Sequence, residues 1–127
     1  MDIQTHPDID RALCGQPTLV EPGRAVVQLT TTERMRVDAK GLVHGGFVFG
    51  AADHAAMLAV NDPNVVLGST SLRFTAPVRV GETVACEAVI HTAEGRKRVL
   101  SISARVGPSE VLRGEMTAFV LDKHVLD

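Results

Sequence analysis

The chain of 127 residues has no Trp, no Tyr and only four Phe. Chemistry that needs a tyrosine acid or nucleophile is therefore excluded. So are multi-aromatic cages and broad base-stacking platforms. No apolar stretch approaches the roughly 20 residues a membrane helix needs, so no membrane partner is expected. Met1 to Asp10 is polar and acidic, without the basic and apolar regions of a secretory signal. The expected location is cytoplasmic. An excess of positive charge is also missing. A net charge of -2 and a pI near 6.2 give no electrostatic reason to expect nucleic acid as a partner. The two cysteines, Cys14 and Cys86, lie far apart outside any C-x-x-C pattern and read as reduced structural thiols. The phosphate-binding patterns G-x-G-x-x-G and G-x-x-x-x-G-K-[ST] are absent, as is the serine-nucleophile pattern G-x-S-x-G.

What remains is an ordinary globular composition, 45% hydrophobic and 22% charged, at a length that predicts one domain spanning 1–127. Pro7, Pro17 and Pro22 punctuate an N-terminal extension, residues 1–22, with a short helix expected near Asp8 to Leu13. Arg24 to Thr32 is β-branched and predicts a strand. A polar, irregular segment follows, Glu33 to Val43. Gly45 to Asn61 is apolar nearly all round and rich in Ala, which predicts a helix buried on most of its surface. Asn61-Asp62-Pro63 supplies its stop. Four further strands are expected: Val65 to Thr75, Glu82 to Thr92, Arg98 to Val106 and Val111 to Leu121. Two of them alternate cleanly. Val84, Cys86, Ala88 and Ile90 share one face, and Leu100, Ile102, Ala104 and Val106 share another. A run of strands with one segregated helix indicates an α+β fold, an antiparallel sheet covered by a helix. One helix cannot cover both ends of such a sheet, so an exposed edge is expected to meet another subunit.

The chemistry concentrates in Asp38 to His54. His44-Gly45-Gly46 stands where the buried helix begins. Glycines there let a ligand approach the backbone, and the first helical N–H groups lack internal partners. Such amides are donors for a carboxylate, a phosphate or a polarised carbonyl oxygen. His44 reads as the residue that fixes the turn, with a basic role as the alternative. Asp53 is the only acid within the apolar helix. Burial there favours its protonated form and moves it toward general-base chemistry. Gly45 and Asp53 are eight positions apart, roughly 12 Å along a helix. One chain cannot bring both to the same carbonyl, but two helices packed antiparallel across a dimer axis can. His54 points about 100° away from Asp53 and reads as a supporting or surface residue. His44, Asp53 and His54 do not have the i, i+4 spacing of a zinc helix, and no metal is expected.

These residues resemble the hotdog-fold acyl-CoA thioesterases, in particular the phenylacetate-pathway-like branch. The likeness rests on His44-Gly45-Gly46, on Asp53 nine residues after the His, and on Ser71-Leu72-Arg73-Phe74-Thr75-Ala76-Pro77-Val78-Arg79-Val80-Gly81-Glu82 with its P-x-x-x-G-E pattern. It covers about residues 24 to 122. It implies a curved antiparallel sheet of five or six strands wrapped around one long central helix. It also implies a homodimer or homotetramer with an acyl thioester at the subunit interface. By that likeness the Gly45 or Gly46 amide polarises the thioester carbonyl, and Asp53 of the facing subunit acts as general base or nucleophile. No cofactor is implied beyond coenzyme A as part of the substrate. Thr70, within Ser69-Thr70-Ser71, lies where relatives place a hydroxyl near the attacking water. Six residues before the motif His, where many relatives have Asn or Gln, this chain has Asp38, whose carboxylate accepts but cannot donate when ionised. Arg96, Lys97 and Arg98 are candidates for the coenzyme A phosphates, with Arg73 and Arg79 as similar candidates. Phe47, Phe49 and Phe74 are the candidate acyl-pocket aromatics. A non-catalytic acyl-CoA binding or sensing module and a hotdog-fold hydratase are the alternative functions.

Overall fold

Capping groups in the sequence define both ends of the central helix. The computed structural model describes residues 1–127. Helix α2 (Gly45–Val60) starts at His44, whose ring Nδ1 accepts the Gly46 N–H at 2.8 Å. It stops at Asn61, which adopts a left-handed conformation and returns its N–H to the Met57 carbonyl. Nine of its 16 residues are buried, Ala51, Ala52, Ala55 and Ala56 completely. Small side chains on this helix allow the sheet to approach closely.

Ahead of α2 come α1 (Arg11–Cys14), β1 (Gln16–Glu21) and β2 (Arg24–Thr30). After it come β3 (Val65–Phe74), β4 (Thr83–Glu94), β5 (Lys97–Val106) and β6 (Ser109–Val120). The six strands form one sheet in the order β1-β2-β4-β5-β6-β3, with every neighbouring pair antiparallel. Helix α2 lies chiefly against β2 and β4. Val84, Cys86 and Ala88 of β4 and Leu100, Ile102 and Ala104 of β5 are buried beneath it, as the alternation predicts. This is the hotdog architecture of one long helix wrapped by an antiparallel sheet.

Some expected elements move. Strand β1 was not expected, because Pro17 interrupts its pattern. It survives because it is an edge strand pairing only with β2, with a register shift just after the proline. The short helix begins at Arg11 rather than Asp8, since Asp10 caps it by accepting the Ala12 and Leu13 N–H groups. Strand β2 ends at Thr30, where the Thr31 hydroxyl donates to the carbonyls of Arg79 and Glu82. The N-terminal extension is fastened down. Gln4 N–H donates to Asn61 Oδ1 and Asn61 Nδ2 to the Asp2 carbonyl, both at 2.8 Å.

Candidate active site

The start of α2 offers one free backbone donor. Gly46 N–H is consumed by the His44 ring, so of the two expected oxyanion amides it is already occupied. Gly45 N–H has no acceptor in the chain. Gly45 lines a cavity of about 430 Å³ with Leu42, Val48, Phe74, Pro77 and Val111. A Cβ added at Gly45 would stand 3.2 Å from Phe74 Cε1, so the Phe74 ring sits over this amide. One on Gly46 would meet His44 Nδ1 at 2.8 Å, which ties glycine at that position to the cap. The site thus pairs an unused N–H at a helix N-terminus with an apolar wall, a suitable receptor for an oxygen that gains negative charge.

Asp53 lies two turns further along and does not line that cavity. Its Oδ1 is buried and has no hydrogen-bond partner. Burial pushes its carboxyl above the ordinary range, and the positive charge of His6 draws it partly back. His6 was not expected in the site. Only the folded N-terminal extension brings it near Asp53, and its backbone is left-handed, with φ 53. Its Nδ1 lies 2.6 Å from the Thr5 hydroxyl. His54 is not a surface residue: it is 2% exposed, with Nδ1 3.1 Å from the Cys14 carbonyl. Burial pushes its imidazolium pKa down. It joins the end of α1 to α2. Neither His44, which caps the helix, nor His54 is hydrogen-bonded to Asp53.

The remaining candidates scatter. Thr70 pairs with buried Met116 and therefore shares the helix-facing side of β3, exposed at the sheet edge. Asp38 Oδ1 accepts the N–H groups of Lys40 and Leu42 at 3.0 and 3.2 Å, so it builds its own loop. Phe47 is half-buried, with its ring edge-on to His44, and Phe49 packs on the core. Neither lines the Gly45 cavity, whereas Phe74 does. Arg73 stands opposite Arg113 in the β3–β6 ladder, beside a separate depression. Arg96 pairs with Asp122, and Arg98 donates to the carbonyls of Gly95 and Lys97. Arg96 is thus engaged with the segment after β6, and Arg98 within its own hairpin. Together with Lys97 they lie outside the cavity.

A family model described as the thioesterase superfamily matches residues 40–111, which include the helix start, Asp53 and the P-x-x-x-G-E segment. Methylthioribose-1-phosphate isomerase of Aquifex aeolicus is 46% identical over 123 residues, 96% of this chain and 27% of that protein. The transcription factor FapR of Shouchella clausii is 32% identical over 83 residues, 65% of this chain and 43% of that protein. The chain thus spans less than half the length of either of these curated relatives. An uncharacterized protein of Pyrococcus horikoshii superposes with a TM-score of 0.99 at 47% identity, covering 100% of this chain and 98% of that one. A mutant of the phenylacetic acid degradation protein PaaI from Thermus thermophilus superposes at 0.79 with 27% identity, covering 87% and 96%.

Proposed function

The chain belongs to the thioesterase superfamily, and from that premise we propose that it hydrolyses an acyl-CoA, or a related acyl thioester, to the free acid and thiol. The observation that carries the proposal is the pair of unsatisfied groups on one helix. Gly45 N–H is a donor without an acceptor, and Asp53 Oδ1 is a buried acceptor without a donor. A free N–H is normal at a helix start, but a buried polar group is normally paired, so Asp53 calls for an explanation. A thioester carbonyl at Gly45 and a water at Asp53 would satisfy both. The likeness to the PaaI protein supports the same reading.

In this reading the Gly45 amide draws charge onto the carbonyl oxygen. Asp53 takes a proton from water as the water attacks the carbonyl carbon, and the thiolate leaves. The two groups come from different subunits, because the length of helix between them separates their sites. Strand β3 supplies the means. It is a sheet edge ten residues long with no proline along it, broken by one register shift between Leu67 and Ser69. Pairing it with β3 of a second copy would complete two sites per homodimer. Further assembly to a homotetramer is compatible with this contact.

Thiol release across short, long and aromatic acyl-CoA substrates tests the proposal. Asp53→Asn is expected to lower turnover by at least ~100-fold while leaving ligand binding nearly intact. Hydrolysis unchanged in that variant would sink the mechanism. A second reading, a non-catalytic acyl-CoA sensing module, is favoured by one observation, the likeness to a transcription factor. It predicts binding without turnover across the whole panel.

A further inference from the structure

Two extended segments meet beside the Gly45 cavity. Val43 N–H donates to the Val78 carbonyl and Val80 N–H to the Gly41 carbonyl, both at 2.9 Å, with Leu42 opposite Arg79. In such a ladder successive side chains alternate between faces. Val43 and Val78 point inward and are 5% and 4% exposed. Leu42, Pro77 and Arg79 therefore share the outer face. With Lys40 and Asp38 they line a second cavity of about 250 Å³. The two cavities share Leu42 and Pro77, so they adjoin across these apolar residues. One end of this groove holds the free Gly45 amide, and the other holds Lys40 and Arg79.

Neither cation enters an ion pair within the chain. The acid groups beside them each give one oxygen to backbone N–H groups, and neither forms an ion pair with Lys40 or Arg79. Asp38 Oδ1 receives the Lys40 and Leu42 N–H groups, and Glu82 Oε1 receives the Arg79 N–H at 2.7 Å. That last bond, with the Thr31 hydroxyl on the Arg79 carbonyl, fixes the backbone from which the guanidinium projects. A compact ammonium and a planar guanidinium at the end of an apolar trough suit a phosphate. Lys40 stands five positions before Gly45, so their Cα atoms lie within roughly 17 Å of each other. An extended pantetheine arm has a reach of the same order.

We propose that Lys40 and Arg79 hold the 4′-phosphate of a phosphopantetheine carrier whose arm crosses Leu42 and Pro77 to present its thioester to Gly45. This subsite rests on the thioesterase reading for its ligand class, and its test does not depend on turnover. Calorimetry compares 4′-phosphopantetheine with pantetheine on the wild-type protein and on a Lys40→Gln, Arg79→Gln double variant. The phosphate is expected to tighten wild-type binding by about tenfold or more, the scale of charge-assisted hydrogen bonds. That gain should vanish in the double variant while pantetheine binds both proteins alike. A phosphate with no effect on wild-type binding, or a gain that survives the double substitution, overturns the subsite. Coenzyme A and a holo acyl carrier protein form the second arm. Tighter binding of one than of free phosphopantetheine identifies the source of the shared phosphate group. A protein that binds phosphopantetheine in this way but hydrolyses no thioester keeps the subsite and loses the hydrolase reading. An active enzyme indifferent to both substitutions, in binding and in kcat/KM, keeps the hydrolase and loses the subsite.

Discussion

Asp53 is held where its charged form is disfavoured, and two consequences have opposite signs. Its folded carboxyl binds a proton more tightly than the unfolded one because burial raises its pKa. The ionised group therefore opposes folding above the folded pKa; that penalty fades as pH falls from the folded to the unfolded pKa and is gone below it. Asp53→Asn is expected to raise the melting temperature at neutral pH, with a gain that disappears in acid, while activity is lost. Parallel melts and rates across pH check both limbs. The same shift places the acidic limb of the pH–rate profile above the ordinary carboxylate range. Gly45 allows a sharper test of the amide. Proline is tolerated at the first helical position, and His44 already has the extended backbone, φ -62 and ψ 129, that a following proline requires. Gly45→Pro is expected to leave the helix folded by circular dichroism, remove the N–H and reduce kcat. Cys86 is fully buried, with its thiol pushed up to about 12. Thiol titration of the folded protein should leave it unmodified until denaturant is added.

Among the elements, α2 has its caps written locally and its surroundings written elsewhere. His44→Ala removes the ring that accepts the Gly46 N–H and is expected to cost about 1 kcal/mol of stability in denaturant unfolding. The helix was legible because its residues are apolar on nearly every side and its stop is a local Asn-Asp-Pro signal. Strands β4 and β5 were legible through their period of two. Strand β1 was not, since Pro17 is compatible with a strand only where one side is left unpaired, and which strand lies at an edge is a property of the whole sheet. The site was partly legible for the same reason. Gly45 was readable as a helix start, but the preference for Gly45 over Gly46 depended on the direction of the His44 ring. The Arg96-Lys97-Arg98 run looked like a phosphate receptor, yet Arg96 meets Asp122 and Arg98 turns to nearby carbonyls. His6 and Asp53 are far apart in sequence, and only the fold brings them together.

At the scale of the whole molecule, the proposed dimer makes a prediction no single subunit can satisfy. Asp53→Asn and Gly45→Pro subunits, each impaired alone, should regain activity when reassorted. A mixed dimer rebuilds one intact site of two, so random exchange is expected to restore up to about a quarter of wild-type specific activity. Activity that does not recover, with exchange verified by mass spectrometry, excludes shared sites. The sequence alone determined the fold class, because a buried Ala-rich helix and alternating strands follow from spacing and hydropathy among near neighbours. It also determined Asp53 and the glycine turn as the candidate chemistry, because each breaks the pattern around it. The tertiary structure decided which cations remain unpaired and what surrounds the carboxylate. Those are contacts between distant segments, and burial and hydrogen-bond competition settle them only once the sheet has closed around the helix.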